Sequence, residues 1–130
     1  MTRQRVSSGR PWESIIGYSR AVRVGNQVWV AGTSATNPDG STHAPGDPYA
    51  QARRCFEIIA AALAEAGATM AHVVRTRMFV TDMTRWEEYG RAHSEFFADI
   101  RPAATMVQVA QMGLIDPAQM IEVEVDAVID

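Results

Sequence analysis

The sequence of 130 residues predicts an α/β fold, more closely a two-layer α+β sandwich in which two helices cover one face of a sheet of about five strands. Two observations lead to this prediction. Several short segments alternate apolar and polar residues, as strands do, and two longer segments repeat apolar residues at helical spacing. Turn signals separate these segments, and the predicted element order is β-β-α-β-α-β-β.

The chain begins with an arm and a hairpin. Residues 1–12 are polar and rich in arginine and predict an N-terminal arm, so the single domain is expected to span residues 13–130. Residues 18–24 alternate in hydrophobicity and residues 27–31 do the same. The pair Gly25-Asn26 between them is a turn signal, so the two segments predict a β-hairpin.

Two helices follow from their capping signals. Asp47 followed by Pro48 marks a helix start, because a capping carboxylate precedes a proline at the first helical position. Gly67 marks the end of this helix. Residues 84–87 read T-R-W-E, a capping box that opens a second helix, and Arg101-Pro102 ends it. The apolar stripes are Ala52, Cys55, Phe56, Ile59, Leu63 and Ala66 in the first helix, and Trp86, Tyr89, His93, Phe96, Phe97 and Ile100 in the second.

Two segments predict loops. Residues 32–47 contain N-P-D-G and P-G, and residues 113–119 read G-L-I-D-P-A-Q, which begins with glycine and contains a proline. The first is the longest irregular stretch of the chain. Long ordered loops often carry function, so this loop is a candidate part of a site.

The remaining strands are charged on one face. In residues 120–129 the odd-numbered positions are apolar and the even-numbered positions 122, 124 and 126 are acidic, so the acids share one face. Residues 73–80 form a strand that places Arg75 and Arg77 on a single face. The two patterns predict facing ladders of opposite charge, with a site expected where they meet. Residues 104–111 are the last predicted strand.

The sheet face without helices is expected to be an interface. It mixes apolar and charged side chains, which is unusual for a plain solvent surface and typical of a protein contact. We therefore predict a homo-oligomer that packs these faces together. The face is predicted to carry Arg75, Arg77, Phe79, Met106, Gln108, Ala110 and the three acids.

Composition excludes several function classes. The formal net charge is −3 and the pI is near 5.6, which argues against nucleic acid as the main partner. All twelve cationic residues are arginine, so no lysine Schiff base can form. Arginine instead favours planar, bidentate contacts to carboxylates. Neither a G-x-S-x-G hydrolase motif nor a glycine-rich phosphate loop occurs in the sequence.

The chain is expected to be cytoplasmic, without metal or cofactor. Its N-terminus lacks the apolar stretch of a signal peptide, and no run approaches the length of a transmembrane helix. The lone Cys55 cannot form an internal disulfide and is expected to be buried. No pair among His43, His72 and His93 has metal-ligand spacing.

Four segments are distinctive in their order and spacing: residues 17–32, residues 73–82, H-S-E-F-F at residues 93–97, and R-P-A-A-T-M-V-Q-V-A followed by I-E-V-E-V-D-A-V at the end. Together they resemble the Rid (reactive intermediate deaminase, YjgF-like) family, and the resemblance spans nearly the whole chain beyond residue 14. It implies a chorismate-mutase-like fold and a homotrimer with three ligand clefts at the subunit interfaces. The best-studied members hydrolyse reactive enamines and imines to 2-oxo acids and ammonia, without metal or cofactor.

One substitution separates this chain from those members. Their segment after the second helix resembles P-A-R-S-x-V-E-V, and its arginine clamps the substrate carboxylate. Here Ala104 occupies that position. Loss of such a buried partner costs about 2–5 kcal/mol, or roughly 30- to 5,000-fold in affinity. The change predicts either a substrate that lacks an amino-acid-type carboxylate or a substrate whose carboxylate the protein binds in a different way.

The resemblance also assigns candidate roles. Glu122 aligns with the acidic residue that positions the hydrolytic water, Tyr18 with a cleft tyrosine, and the Gly32 backbone with a ligand-contacting turn. The amides of Thr105 and Met106 remain as donors to an anion. For Glu122 the alternative is an interface ion pair with one of the strand arginines, and for Tyr18 it is an interface position that needs no ligand.

The role of the strand arginines is left open by the sequence. Arg77 or Arg75 either replaces the missing clamp or only compensates the acidic strand, and Arg101 is a third candidate. The overall interpretation is a homotrimeric hydrolase of imines, enamines or related small metabolites. The alternative is a trimer that binds a small molecule, such as an anion, or another protein without turnover. RNA cleavage, also ascribed to family members, fits the acidic charge least.

Overall fold

The computed structural model describes residues 2–111 and 116–130, and within them it forms one six-stranded sheet with three α-helices. Residues 113–115 of the predicted second loop lie outside the described residues. Short 3₁₀ turns occur at Met70–His72 and Met83–Arg85. In chain order the elements are β1 (Arg3–Val6), α1 (Pro11–Ile16), β2 (Ala21–Val24), β3 (Gln27–Ser34), α2 (Pro48–Glu65), β4 (Val73–Val80), α3 (Trp86–Phe97), β5 (Ala103–Gln108) and β6 (Ile121–Val128).

The sheet has the strand order β1-β2-β3-β6-β4-β5. Every neighbouring pair is antiparallel except β4 and β5, which are parallel and are connected through α3. The last strand, β6, therefore lies between β3 and β4 near the centre. The predicted mixed α/β class and the predicted succession of seven elements are confirmed. β1 and α1 are additional.

The core lies between the sheet and the helices α2 and α3. Along β6 the burial alternates, with Ile121, Val123 and Val125 fully buried and the acids between them half-exposed, as predicted. The helical side of the core is contributed by the predicted stripes. Its largest members are Phe56, Ile59, Leu63, Tyr89 and Phe97, all buried.

The N-terminal segment differs from the predicted arm. Residues 3–6 form β1, which pairs with β2 in the register Arg3↔Val24 to Val6↔Ala21, and Val6 is buried. The segment reads R-Q-R-V, and arginines are typical of an edge strand, where charge discourages pairing with other molecules. The polar residues that predicted an arm therefore form a short edge strand.

The helix signals are confirmed for α2 and wrong in detail for α3. The Asp47 carboxylate accepts a hydrogen bond from the Ala50 amide at 3.0 Å, and Gly67 beyond the helix has a positive φ of 84°. The capping box at Thr84 does not form. Asp82 instead accepts bonds from the Thr84 amide and hydroxyl and caps a 3₁₀ turn that precedes α3. As a result Trp86 leaves the predicted stripe and is 56% exposed.

The side chains of strand β5 lie on the opposite faces of the sheet from those predicted. Met106 pairs with Met78 and packs against the core on the helical side, so it does not lie on the open face. Gln108 pairs with Val80 and accepts a bond from the Met83 amide at 2.8 Å. The predicted strand also ended too late, because β5 stops before Ala110. Among the described residues no helix is long and apolar enough to cross a bilayer.

The partly buried imidazole of His93 predicts a pH-dependent stability. It lies against Phe56 and Phe97, and its Nε2 is 2.9 Å from the Thr76 hydroxyl. Burial lowers the pKa of His93 below its usual 6.5. The unfolded chain therefore binds a proton near pH 6.5 that the folded chain does not bind. The free energy of unfolding should fall as pH drops below 6.5, with a limiting slope of about 1.4 kcal/mol per pH unit.

Urea denaturation between pH 5 and 7.5, at one protein concentration, measures this slope. The matched variant is His93→Gln, which removes the titrating ring and should flatten the profile in that window. Carboxylates such as Glu13, whose pKa is lowered mainly by bonds from Ser8 against the opposing effect of burial, matter only below about pH 4.5. An unchanged slope in the variant would assign the effect to other groups.

Candidate functional site

A cleft of about 830 Å³ opens beside β3, and we call it the bulge cleft. It lies between four parts of the chain: helix α1, the segment before β2, the middle of β3, and the segment just before β6. Its walls combine apolar side chains with convergent polar groups, which is the usual composition of a ligand site. The polar lining of the cleft includes Arg10, Tyr18, Arg20, Ser34 and Glu122.

A bulge in β3 places Gly32 against Glu122. Val30 pairs with Val125 and Thr33 pairs with Val123, so β3 advances by three residues where β6 advances by two. A Cβ built on Gly32 would lie 2.9 Å from both Cδ and Oε1 of Glu122. Glycine is therefore needed here for the close approach of the carboxylate. The Ser34 hydroxyl lies 3.5 Å from the other oxygen of Glu122.

Arg20 lies in the same cleft, and the sequence alone did not single it out. Its amide donates to the Val6 carbonyl and its carbonyl accepts from the Ala31 amide, so the backbone is held by both neighbouring strands. Its Nη2 donates to the Gly32 carbonyl at 2.6 Å. Burial lowers the pKa of Arg20, although an arginine stays protonated at any ordinary pH. The sequence feature that could have identified Arg20 is its position next to Ser19 and two residues after Tyr18, in the segment that resembles the Rid family.

The facing charge ladders form as predicted. Arg75 pairs with Asp126 and Arg77 pairs with Glu124 across β4 and β6. Nη1 of Arg77 lies 3.5 Å from Oε1 of Glu124 and 3.2 Å from Oδ2 of Asp126. All of these side chains lie on the open face of the sheet. A second cleft of about 650 Å³ borders this ladder, and Tyr18 lines both clefts.

The predicted site residues of β5 lie elsewhere. Strand β4 separates β5 from β6, and none of the residues 104–106 lines the bulge cleft. Thr105 faces the open side, where its hydroxyl accepts a bond from Arg75 at 3.4 Å, and Ala104 is exposed at the sheet edge. The single chain thus brings Tyr18, Gly32 and Glu122 together and leaves the β5 residues apart from them.

Gln51 of α2 fixes the last segment of the cleft wall. Its carbonyl oxygen accepts from the Met120 amide at 2.8 Å, and its amide nitrogen donates to the Ala118 carbonyl at 3.0 Å. The side chain is fully buried. Gln119, which lines the cleft, is thereby held beside Glu122. Across the described ranges 2–111 and 116–130, no group of three or more His, Cys, Asp or Glu side chains is placed to hold a metal ion.

Comparison with known proteins identifies the family. Residues 9–129 match the family described as Endoribonuclease L-PSP. An uncharacterised protein of Streptomyces coelicolor is 40% identical over 124 residues, which cover 95% of this chain and 90% of that protein. The chain therefore belongs to the Endoribonuclease L-PSP family, which is the YjgF/Rid family.

Solved structures agree with this assignment. Rv2704 of Mycobacterium tuberculosis, a member of the YjgF/YER057c/UK114 family, is 46% identical with a TM-score of 0.87, and the match covers 98% of this chain and all of that one. The YjgF gene product of Escherichia coli is 27% identical with a TM-score of 0.83, over 98% and 99% of the two chains. The resemblance stated from the sequence motifs is thus confirmed at the level of family and fold.

Proposed function

We propose that this protein hydrolyses a reactive imine or enamine in the bulge cleft, with Glu122 holding the attacking water. The observation that supports this most is the position of the Glu122 carboxylate. It is held against Gly32 in a cleft that also contains a tyrosine hydroxyl and a guanidinium. A carboxylate next to an open cleft is the minimum needed to orient and deprotonate a water molecule.

The chemistry balances without a cofactor. Water adds to the imine carbon while the Glu122 carboxylate accepts its proton, and the C=N bond becomes a C–N single bond. Glu122 returns this proton to the nitrogen, which completes the carbinolamine. The carboxylate then takes the hydroxyl proton and passes it to the same nitrogen as the C–N bond breaks, so that a carbonyl and ammonia are released. An enamine first gains a proton on carbon and loses one from nitrogen to become the imine. Tyr18 lines the cleft, and in this mechanism its hydroxyl hydrogen-bonds the reacting atoms.

We further propose that the working form is a homotrimer that packs the open sheet faces together. Trp29 and Tyr18 are 42% and 39% exposed in the single chain, and the ladder of Arg77 with its two acids lies beside them. A half-apolar, half-charged face of this kind is suited to a specific contact. Ala104, Thr105 and Met106 lie on an edge strand, so a second copy is needed to bring the Thr105 or Met106 amide to the bulge cleft.

Ammonia release from enzymatically generated 2-iminobutyrate and 2-aminoacrylate tests the proposed function. We expect the protein to accelerate release above the rate in buffer with the generating enzyme alone. Size measurement by light scattering, made on the same sample, should give three times the chain mass of 14.3 kDa. A rate equal to that in buffer would contradict hydrolysis of these substrates.

The second candidate is a trimer that binds a small molecule or another protein without turnover. The residue that favours it is Ala104, which replaces the arginine expected of an efficient deaminase in the family. Binding in the absence of ammonia release would support it. RNA cleavage, which the family's name suggests, is supported less, because the chain carries a net charge of −3 and its open face bears three acids.

A further inference from the structure

We infer that the side-chain amide of Gln119 binds the ligand of the bulge cleft and recognises a neutral group that both donates and accepts hydrogen bonds. A carboxamide or a ureido group has this chemistry, and a carboxylate does not. The inference rests on the proposed function for the reaction itself and deepens it, because it names the substrate class as an imine or enamine that carries such a neutral group.

Gln119 is a buried polar side chain that lines the cleft. It is 7% exposed, and its side-chain amide makes no hydrogen bond to any residue in the ranges 2–111 and 116–130. The described side-chain atoms that are sealed from solvent and lack a partner are Arg20 Nε and the Tyr89 hydroxyl, so the amide of Gln119 remains open to the cleft. A polar group in this position costs free energy until a donor or acceptor reaches it.

Gln51 shows how a buried glutamine with a structural role differs from Gln119. It is also fully buried, but its oxygen accepts from the Met120 amide at 2.8 Å, and its nitrogen donates to the Ala118 and Ala44 carbonyls at 3.0 and 3.3 Å. These bonds hold the backbone on both sides of Gln119. The protein therefore fixes the position of Gln119 while its hydrogen-bonding groups stay available, as expected of a ligand contact.

The turn that carries Gln119 is also held from the other wall of the cleft. The Asp116 carboxylate accepts bonds from the Ala118 amide at 2.9 Å and from the hydroxyl of Thr42, which lies in the loop after β3. The Gln119 amide donates to the Asp116 carbonyl at 3.2 Å. A contact that is fixed before the ligand arrives loses little conformational freedom on binding.

The charge near Gln119 favours a neutral ligand group over an anion at this position. Glu122 follows three residues later and lines the same cleft. Its carboxylate would repel a ligand carboxylate bound at Gln119, and a neutral amide cannot offset that charge. A ligand carboxamide instead meets the Gln119 amide with a hydrogen bond in each direction. Ala104 agrees with this class, because it stands where an arginine that clamps a carboxylate is expected.

Calorimetric titration with three probes of similar shape tests the inference: 2-oxobutyramide, 2-oxobutyrate and methyl 2-oxobutyrate. Only the amide has both an N–H donor and a neutral carbonyl next to the ketone. The wild-type protein should bind the amide at least about tenfold more tightly than either of the others. Gln119→Met should weaken binding of the amide by about 10- to 100-fold and leave that of the ester within about twofold of wild type.

Two further variants complete the titration. Gln119→Glu keeps the shape of the side chain but offers only acceptors at neutral pH, so its affinity for the amide should fall between those of wild type and Gln119→Met. Gln27→Met is the matched control, because Gln27 is exposed at the start of β3 and lines neither cleft. All three affinities should be unchanged in it.

Urea denaturation separates a ligand contact from a structural role. Gln51→Met leaves the Met120 amide and the Ala118 carbonyl without their partner, so its midpoint should fall. Gln119→Met removes an amide that has no partner in the described ranges, so its midpoint should stay the same or rise. A fall as large as that of Gln51→Met, or failure of Gln119→Met to fold, would make Gln119 structural and overturn the inference.

The binding data can overturn it independently. Equal affinity of the wild-type protein for amide and ester would do so, as would an unchanged affinity for the amide in Gln119→Met. Tighter binding of the acid than of the amide would also contradict it and would point to Arg10, the other charged group at the cleft wall.

Failure of this inference is distinguishable from failure of the proposed function. Binding of 2-oxobutyramide that depends on Gln119, with no ammonia release from the imines tested, would keep the contact and remove the hydrolase. Ammonia release from 2-iminobutyrate with the same KM in wild type and Gln119→Met, and no preference for the amide, would do the reverse. In that case the hydrolase stands and another group recognises the substrate.

Discussion

Replacement of Glu122 by glutamine is expected to lower the rate of ammonia release from 2-iminobutyrate by about 10²- to 10⁴-fold. Glutamine has nearly the same shape and still fits over Gly32, so it can hold a water molecule in place. It cannot accept the proton that the water loses on attack. The loss should therefore appear in kcat, with a much smaller change in KM.

The matched control is Glu124→Gln, two residues along the same face of β6. Glu124 lies outside the bulge cleft and shares Arg77 with Asp126, so one ion-pair contact remains after the change. Exposed ion pairs of this kind contribute about 0–1 kcal/mol, and activity should stay within about threefold of wild type. Equal losses in both variants would mean that the acidic face acts through assembly, and full activity of Glu122→Gln would remove Glu122 from the mechanism.

The substitution Gly32→Ala is expected to reduce ammonia release by about 10²-fold while leaving the fold nearly as stable. The new Cβ would lie 2.9 Å from the end of the Glu122 side chain, which is flexible and half-exposed, so the carboxylate can swing away. The cost in unfolding free energy should be about 1 kcal/mol or less, at the low end for overpacking. A displacement of about 1 Å at a reacting group is enough for the loss of rate.

Gly90→Ala on α3 is the control for the effect of a methyl group as such. A Cβ at Gly90 meets no atom within 4 Å, and the site is helical. We expect full activity and a gain of about 0.5–1 kcal/mol in unfolding free energy, because alanine restricts the unfolded chain. Stability is measured by urea denaturation and rate by ammonia release on the same samples. A fully active Gly32→Ala would show that the carboxylate does not need its place above the bulge.

How much of the site was predictable differs from residue to residue. The alternation of Glu122, Glu124 and Asp126 with buried apolar residues predicted the face that the three acids occupy, and on that face Glu124 and Asp126 lie within 3.5 Å of Arg77. These are properties of a strand with a period of two, and they depend only on neighbouring residues. The capping carboxylate of Asp47 was predictable for the same reason. The absence of the capping box at Thr84 was not predictable, because Asp82, two residues earlier in the chain, accepts the hydrogen bond from the Thr84 amide.

Residues whose role depends on long-range pairing were missed. Arg20 and Glu122 both lie against Gly32, at the point where β3 bulges between Val30 and Thr33 against a strand about ninety residues later in the chain. Met106 was assigned to the wrong face because the register of β5 on β4 decides which side it takes. A shift of one residue in register reverses every side chain of a strand, and local alternation does not contain that register.

The sequence by itself determined the fold class, the acidic and arginine ladders, and the family, because each rests on periodicity or on motifs within single segments. Only the tertiary structure decided that the N-terminal residues complete the sheet and that β5 forms its opposite edge. It also decided that a guanidinium from the segment before β2 and a carboxylate from β6 both lie against Gly32. Distant segments choose these partners through register and bulges, and the energies involved are those of packing and hydrogen bonding between strands.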